Sequence, residues 1–108
     1  MVYSISEIKQ RVRPVAKKYN IPALYLFGSY ARGEADEDSD LDFLVDTTGT
    51  ELTSLFKLGA LYCDLESLFD KPLDLITERS IMQSGSMPSD IDFRDTVMKE
   101  RVRLYANT

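Results

Sequence analysis

The segment Gly28 to Asp46, GSYARGEADEDSDLDFLVD, constrains this chain more than any other stretch. An apolar run, Ile21 to Phe27, stops at a Gly-Ser pair. After ten intervening residues Asp40 and Asp42 flank Leu41 at the start of a second apolar run, Leu41 to Val45. A buried strand that ends in glycine must turn sharply there, because glycine tolerates backbone angles other residues avoid. In a strand, side chains two apart point the same way. Asp40 and Asp42 are therefore expected to face together, leaving Leu41, Phe43 and Val45 to bury on the other side. A third carboxylate, Asp74, lies inside another short apolar run, Leu73 to Ile76, where it is awkward to bury without a partner.

The remaining pattern predicts how these pieces are supported. Ser4 and Glu7 fit a capping box. Ile5, Ile8, Val12, Val15 and Tyr19 then repeat at helical spacing. Pro14 predicts a kink or break in that helix, and Asn20 closes it. Residues 29–35 suit one helical turn followed by a loop, and Thr47 to Thr50 a turn. Glu51 to Phe69 reads as a long helix. Its stripe of Leu52, Leu55, Phe56, Leu58, Leu61, Tyr62, Leu65, Leu68 and Phe69 is wider than one sheet face requires. That breadth predicts a subunit or partner contact, a homodimer included, through Leu58, Leu61, Tyr62, Leu65 and Leu68. Cys63, in the same apolar region, is expected in the core. Leu73 to Thr77 is the third strand, Ser80 to Ser89 a mobile loop, Asp90 to Glu100 a last helix, and Val102 to Tyr105 an edge strand. The expected class is α/β (α+β), in a single domain spanning residues 1–108.

Composition excludes several kinds of chemistry. The chain has 108 residues, no histidine and one cysteine. A histidine base, a histidine-ligated zinc and an internal disulfide are all ruled out. The formal charge of −5 offers no basic field for a nucleic-acid backbone, so no direct nucleic-acid partner is expected. No run is long and apolar enough to span a bilayer, and the first residues lack the pattern of a signal peptide. Together these favour the cytoplasm.

What remains is oxygen chemistry. Two carboxylates side by side repel unless a cation lies between them, and Mg²⁺ prefers oxygen ligands, commonly one or two carboxylates with substrate phosphates and waters. Asp74 on a neighbouring strand could complete a two-metal site. Without histidine, it is also the natural general base for an acceptor hydroxyl. Gly28 would let backbone approach a phosphate closely, Ser29 would offer a hydroxyl and an amide, and Arg32 a charged fork. Each feature alone is unspecific. A Gly-Ser pair is mostly a turn, Asp-x-Asp mostly a cap or solvated loop, and an isolated arginine mostly a surface or salt-bridge residue. Glu34, Asp36, Glu37 and Asp38 read as surface charge.

Taken together, Gly28-Ser29, ten residues and Asp40-Leu41-Asp42 resemble the signature of the DNA polymerase beta-like nucleotidyltransferase superfamily. With Tyr25-Leu26-Phe27, Ala31-Arg32-Gly33 and Ser39, the string resembles its minimal nucleotidyltransferase (MNT) branch. The resemblance runs from the first helix through the third strand to Arg103-Leu104-Tyr105. It implies a small mixed β-sheet with helices packed on it, the nucleotidyltransferase fold, in which Ser29 holds a triphosphate, Asp40 and Asp42 bind Mg²⁺, and Asp74 is the third catalytic carboxylate. Members of this branch are often antitoxins that transfer AMP from ATP to a tyrosine of a HEPN-domain toxin, an RNase. Larger relatives carry an extra domain for a small-molecule acceptor, which this chain lacks, so an acceptor on a partner protein fits its length better. Two alternatives remain: an antitoxin that works by binding alone, and a small-molecule nucleotidyltransferase that needs a separate acceptor-binding subunit.

Overall fold

A computed structural model of the chain describes residues 2–83 and 88–107. The elements run α1 (Ile5–Lys18), β1 (Ala23–Phe27), α2 (Gly28–Arg32), β2 (Leu41–Asp46), α3 (Leu55–Glu66), β3 (Leu73–Thr77), α4 (Glu78–Gln83), α5 (Pro88–Glu100) and β4 (Val102–Ala106). The strands form one sheet in the order β3-β2-β1-β4. β1 pairs antiparallel with β2 and β4, whereas β2 and β3 run parallel, so the sheet is mixed as expected. The α3 crossover between β2 and β3 makes the parallel pair possible.

Side-chain alternation divides the sheet into two faces. On one, Leu24, Leu26, Leu41, Phe43, Val45 and Leu73 pack in a single core with Ile8, Val12 and Ala16 of α1 and Leu61 and Leu65 of α3. On the other, Phe27 and Leu44 meet Ile81 of α4 and Val97 of α5. The sheet is thus covered by helices on both sides. Fully burying a Leu, Ile, Val or Phe side chain stabilises by about 1.5–3 kcal/mol. No polar or charged residue is buried among the described residues.

The first helix begins at the predicted capping box, with Ser4 accepting from the Glu7 amide at 3.1 Å and Glu7 accepting in return from the Ser4 amide. It runs through Pro14 without the expected break. Pro14 and Gln10, whose carbonyl would have bonded an amide at position 14, both lie on the exposed face. Water can therefore satisfy that carbonyl. Asn20 closes the helix in the left-handed conformation, φ 57°.

The long helix is shorter than its periodicity predicts. Ser54 caps it by accepting from the Lys57 amide at 3.2 Å, and Thr50 accepts from the Leu52 amide at 3.1 Å, folding Leu52 back into the core. At the other end the helix stops at Glu66, and Phe69 packs edge-on to Tyr3 with ring centroids 5.1 Å apart. The predicted partner surface needs correction. Leu61 and Leu65 are fully buried inside this chain, while Leu58, Tyr62 and Leu68 pack half-buried against the same core. The residues of that helix that stand clear are Leu55 and Phe56, each 88% exposed. Cys63 is exposed and not in the core, because it lies off the helix face that carries Leu61 and Leu65.

The predicted loop over 80–89 is also partly helical. Thr77 Oγ1 accepts from the Ser80 amide at 3.0 Å at the start of α4, and Ile81 anchors that helix in the second core. Residues 84–87 lie outside the described residues. The final strand forms as expected, paired with β1 through a register shift at Leu24/Tyr25. Among the described residues, no helix is long and apolar enough to cross a membrane.

Candidate active site

The register of three strands builds the site. Phe27 at the end of β1 stands opposite Asp42 of β2, and Asp42 stands opposite Asp74 of β3. One rung across the sheet therefore carries an aromatic ring and two carboxylates. They project from the face that α4 and α5 cover, because Asp42 shares its side with Leu44 and Asp74 with Ile76.

Short connections hold that register. The Leu41 amide donates to the Pro72 carbonyl at 3.1 Å, starting the parallel pair. Lys71 Nζ donates to the Tyr30 hydroxyl at 2.7 Å and to the Asp36 carbonyl at 3.3 Å. One ammonium thereby ties the approach to β3, the helix after β1 and the loop before β2. That loop is ordered by Asp36 and Ser39: Asp36 Oδ1 accepts from the Asp38 amide, and Ser39 Oγ from the Asp36 amide, each at 2.9 Å. Asp36 therefore does more than decorate the surface, whereas Glu34 and Asp38 are exposed as expected.

Gly28 is required twice. Its φ of +75° is one that side chains disfavour, and a Cβ there would run into the Asp42 carboxylate. The turn and the carboxylate are packed so closely that only glycine fits between them. Ser29 follows, half-buried, in α2. The N-cap of that short helix is Phe27, and no side chain caps it. Among the described residues the Ser29 hydroxyl has no hydrogen-bond partner, while its carbonyl accepts from the Glu34 amide at 2.9 Å.

The carboxylates are electrostatically crowded. Half-burial, and after it the charges of Asp74 and Asp40, together push the Asp42 carboxyl up to about 6. A hydrogen bond with Asp74 adds to the shift, and Arg32 opposes it. Asp42 and Asp74 thus meet directly. Asp40 lies just before β2, exposed, and contributes its charge from two residues away. No three acidic or cysteine side chains among the described residues converge into a finished cation cage. The donor set is nonetheless one that suits a hard cation with room for phosphate oxygens: two carboxylates in contact, a third beside them, and no nitrogen or sulfur ligand nearby.

Arg32 lines the same cavity but is not free. It pairs with Glu34 at 3.0 Å and with Glu100 of α5 at 3.1 Å. The cavity, about 450 Å³, is bounded by Gly28, Arg32, Asp42 and Asp74 on one side and by Phe27, Ile76, Phe93 and Val97 on another. The α5 side of the cavity, Phe93, Thr96, Val97 and Glu100, carries no motif in the sequence. These residues recur at helical spacing on one face, which is the signal that was there to read.

A glycine turn locked against paired carboxylates, on a mixed sheet with helices on both faces, defines the minimal nucleotidyltransferase class of fold. The sequence profile of the nucleotidyltransferase domain matches residues 5–104, and the chain belongs to that family of enzymes. It is 40% identical over 78 residues to a candidate protein adenylyltransferase of Methanocaldococcus jannaschii, a match covering 72% of this chain and 82% of that one. It is 39% identical over 69 residues to the protein adenylyltransferase MntA of Thermococcus cleftensis, covering 64% and 68%. Among solved structures, it is similar in fold to one chain in a structure of the tri-AMPylated Shewanella oneidensis HEPN toxin in complex with an MNT antitoxin. The TM-score is 0.63 at 19% identity, covering 95% of this chain and 73% of that one.

Proposed function

We propose that this chain, as one nucleotidyltransferase domain, transfers AMP from Mg·ATP to a tyrosine hydroxyl of a HEPN-domain toxin and so acts as an antitoxin in the cytoplasm. The observation that carries the reading is the rung that brings Asp42 against Asp74 beside the Gly28 turn. The relatives' names and the AMPylated toxin complex supply the acceptor class.

In this reading Ser29 and the backbone after Gly28 take the triphosphate, the Ser29 hydroxyl being unengaged among the described residues. Asp40, Asp42 and Asp74 would hold Mg²⁺, as two ions, which when bound neutralise phosphate charge and favour the ionised acceptor. Asp74, at the exposed edge strand, receives the proton of the acceptor hydroxyl. The acceptor oxygen then bonds to the α-phosphorus, the bond from that phosphorus to the β-phosphate oxygen breaks, and pyrophosphate leaves. Arg32 reaches phosphate only by exchanging Glu34 or Glu100 for it, a charge-for-charge exchange that costs little at an exposed site.

The test is intact-mass measurement of the cognate HEPN-domain protein after incubation with this chain, ATP and Mg²⁺. A gain of one or more AMP units that disappears with Asp42→Asn is the expected result. An unmodified partner that is still neutralised would establish an antitoxin acting by binding alone.

A further inference from the structure

We infer that Phe93 of α5 is the surface against which the base of the donor nucleotide stacks. The inference rests on the nucleotidyl-transfer reading and adds to it the residue that holds the base. Phe93 is 51% exposed, an unusual state for a phenylalanine that lines a cavity. It stands edge-on to Phe27, with ring centroids 6.3 Å apart and planes at 85°. Ile76 and Val97 continue the apolar wall. The cavity therefore has a carboxylate end suited to a cation and phosphates, and an aromatic end. A nucleoside triphosphate has the same division between its charged tail and its flat, uncharged base. The volume of about 450 Å³ falls in the range of small-ligand sites.

The position of the ring favours the donor over the acceptor. In the sheet order β3-β2-β1, Asp74 and Phe27 lie on opposite sides of Asp42. The acceptor hydroxyl must come to Asp74, at the open edge of the sheet. Phe93 sits over Phe27, the residue that leads directly into the Gly28-Ser29 turn. The aromatic wall thus adjoins the phosphate turn. Stacking tolerates any base, since each has a π-face, and the larger purine rings gain more contact.

The test compares two probes, α,β-methylene-ATP with Mg²⁺ and inorganic tripolyphosphate with Mg²⁺, by calorimetry on the intact chain. Phe93→Ala is expected to weaken the nucleotide analogue about tenfold or more and to leave tripolyphosphate unchanged. Phe93→Leu, which keeps the apolar cover without the ring, should behave like Phe93→Ala while retaining the wild-type melting temperature. Because the sequence contains no tryptophan, Phe93→Trp places a single tryptophan on the wall, which excitation near the red edge of its absorption selects over the tyrosines. Its emission should be quenched by the analogue and not by tripolyphosphate. Unchanged analogue affinity in both the Ala and Leu variants would overturn the inference while the transfer reading stands. So would Trp emission that responds to the protein acceptor alone. Failure of the unaltered chain to bind the analogue would overturn the transfer reading, and the inference with it.

Discussion

Replacing Asp42 with asparagine should make the metal-free protein more stable at neutral pH. The folded chain holds the Asp42 proton up to about pH 6, against 3.8 for the ordinary carboxyl. A folded pKa raised in this way means that stability is greatest below the unfolded value. It declines as pH rises from about 4 to about 6 and stays low above that. Two units correspond to about 3 kcal/mol. Asp42 is only half-buried, so solvent screening reduces this to about 1–1.5 kcal/mol. Asparagine carries no charge, and its amide can donate to the Asp74 carboxylate. In EDTA at about pH 7.5, Asp42→Asn should therefore melt roughly 4–8 °C above wild type for each kcal/mol gained. Near pH 4 the two proteins should melt nearly together. Thermal melts across that range isolate the cluster around Asp42, because residues remote from it are the same in both chains. Added Mg²⁺ should then raise the wild-type melting temperature and leave the variant's nearly unchanged. A variant less stable than wild type at pH 7.5, or a difference independent of pH, would refute the crowding of Asp42 by Asp40 and Asp74.

Other substitutions test the rest of the site and its support. Gly28→Ala should cost about 2 kcal/mol or more, since it forces a side chain into the left-handed region and against Asp42; a wild-type denaturation midpoint would refute the lock between turn and carboxylate. Ser29→Ala should leave the melting temperature within about 2 °C of wild type, because its hydroxyl caps nothing, while weakening ATP binding by the equivalent of about 1.5–3 kcal/mol for a hydrogen bond to a charged group; calorimetry with ATP checks both halves. Leu61→Ala should destabilise by about 2–5 kcal/mol as a fully buried core residue, whereas Phe56→Ser, at an exposed position, should change stability by under about 0.5 kcal/mol in a chemical melt.

The sequence alone determined the elements that carry the chemistry. Alternation around Asp42, the capping box at Ser4 and the Gly-Ser stop after Phe27 are local signals, written in neighbouring residues and read by spacing. They correctly placed β2, β3, the first helix and the turn. Local signals could not determine which long-range neighbours cover which surface. The apolar stripe of α3 looked too wide for one face because the sequence does not show that Leu52 folds back before the helix or that Phe69 turns in after it. Cys63 reads as core by composition and lies outside by helical phase. Asp42 and Asp74 are 32 residues apart in the chain, and only the parallel register of β2 with β3 brings them into contact. The Arg32–Glu100 pair and the Phe93 wall depend on how α5 lies across the sheet. That helix carries no motif, and its packing against Phe27 and Ile76 is decided by tertiary contacts between surfaces that meet only when the chain is folded.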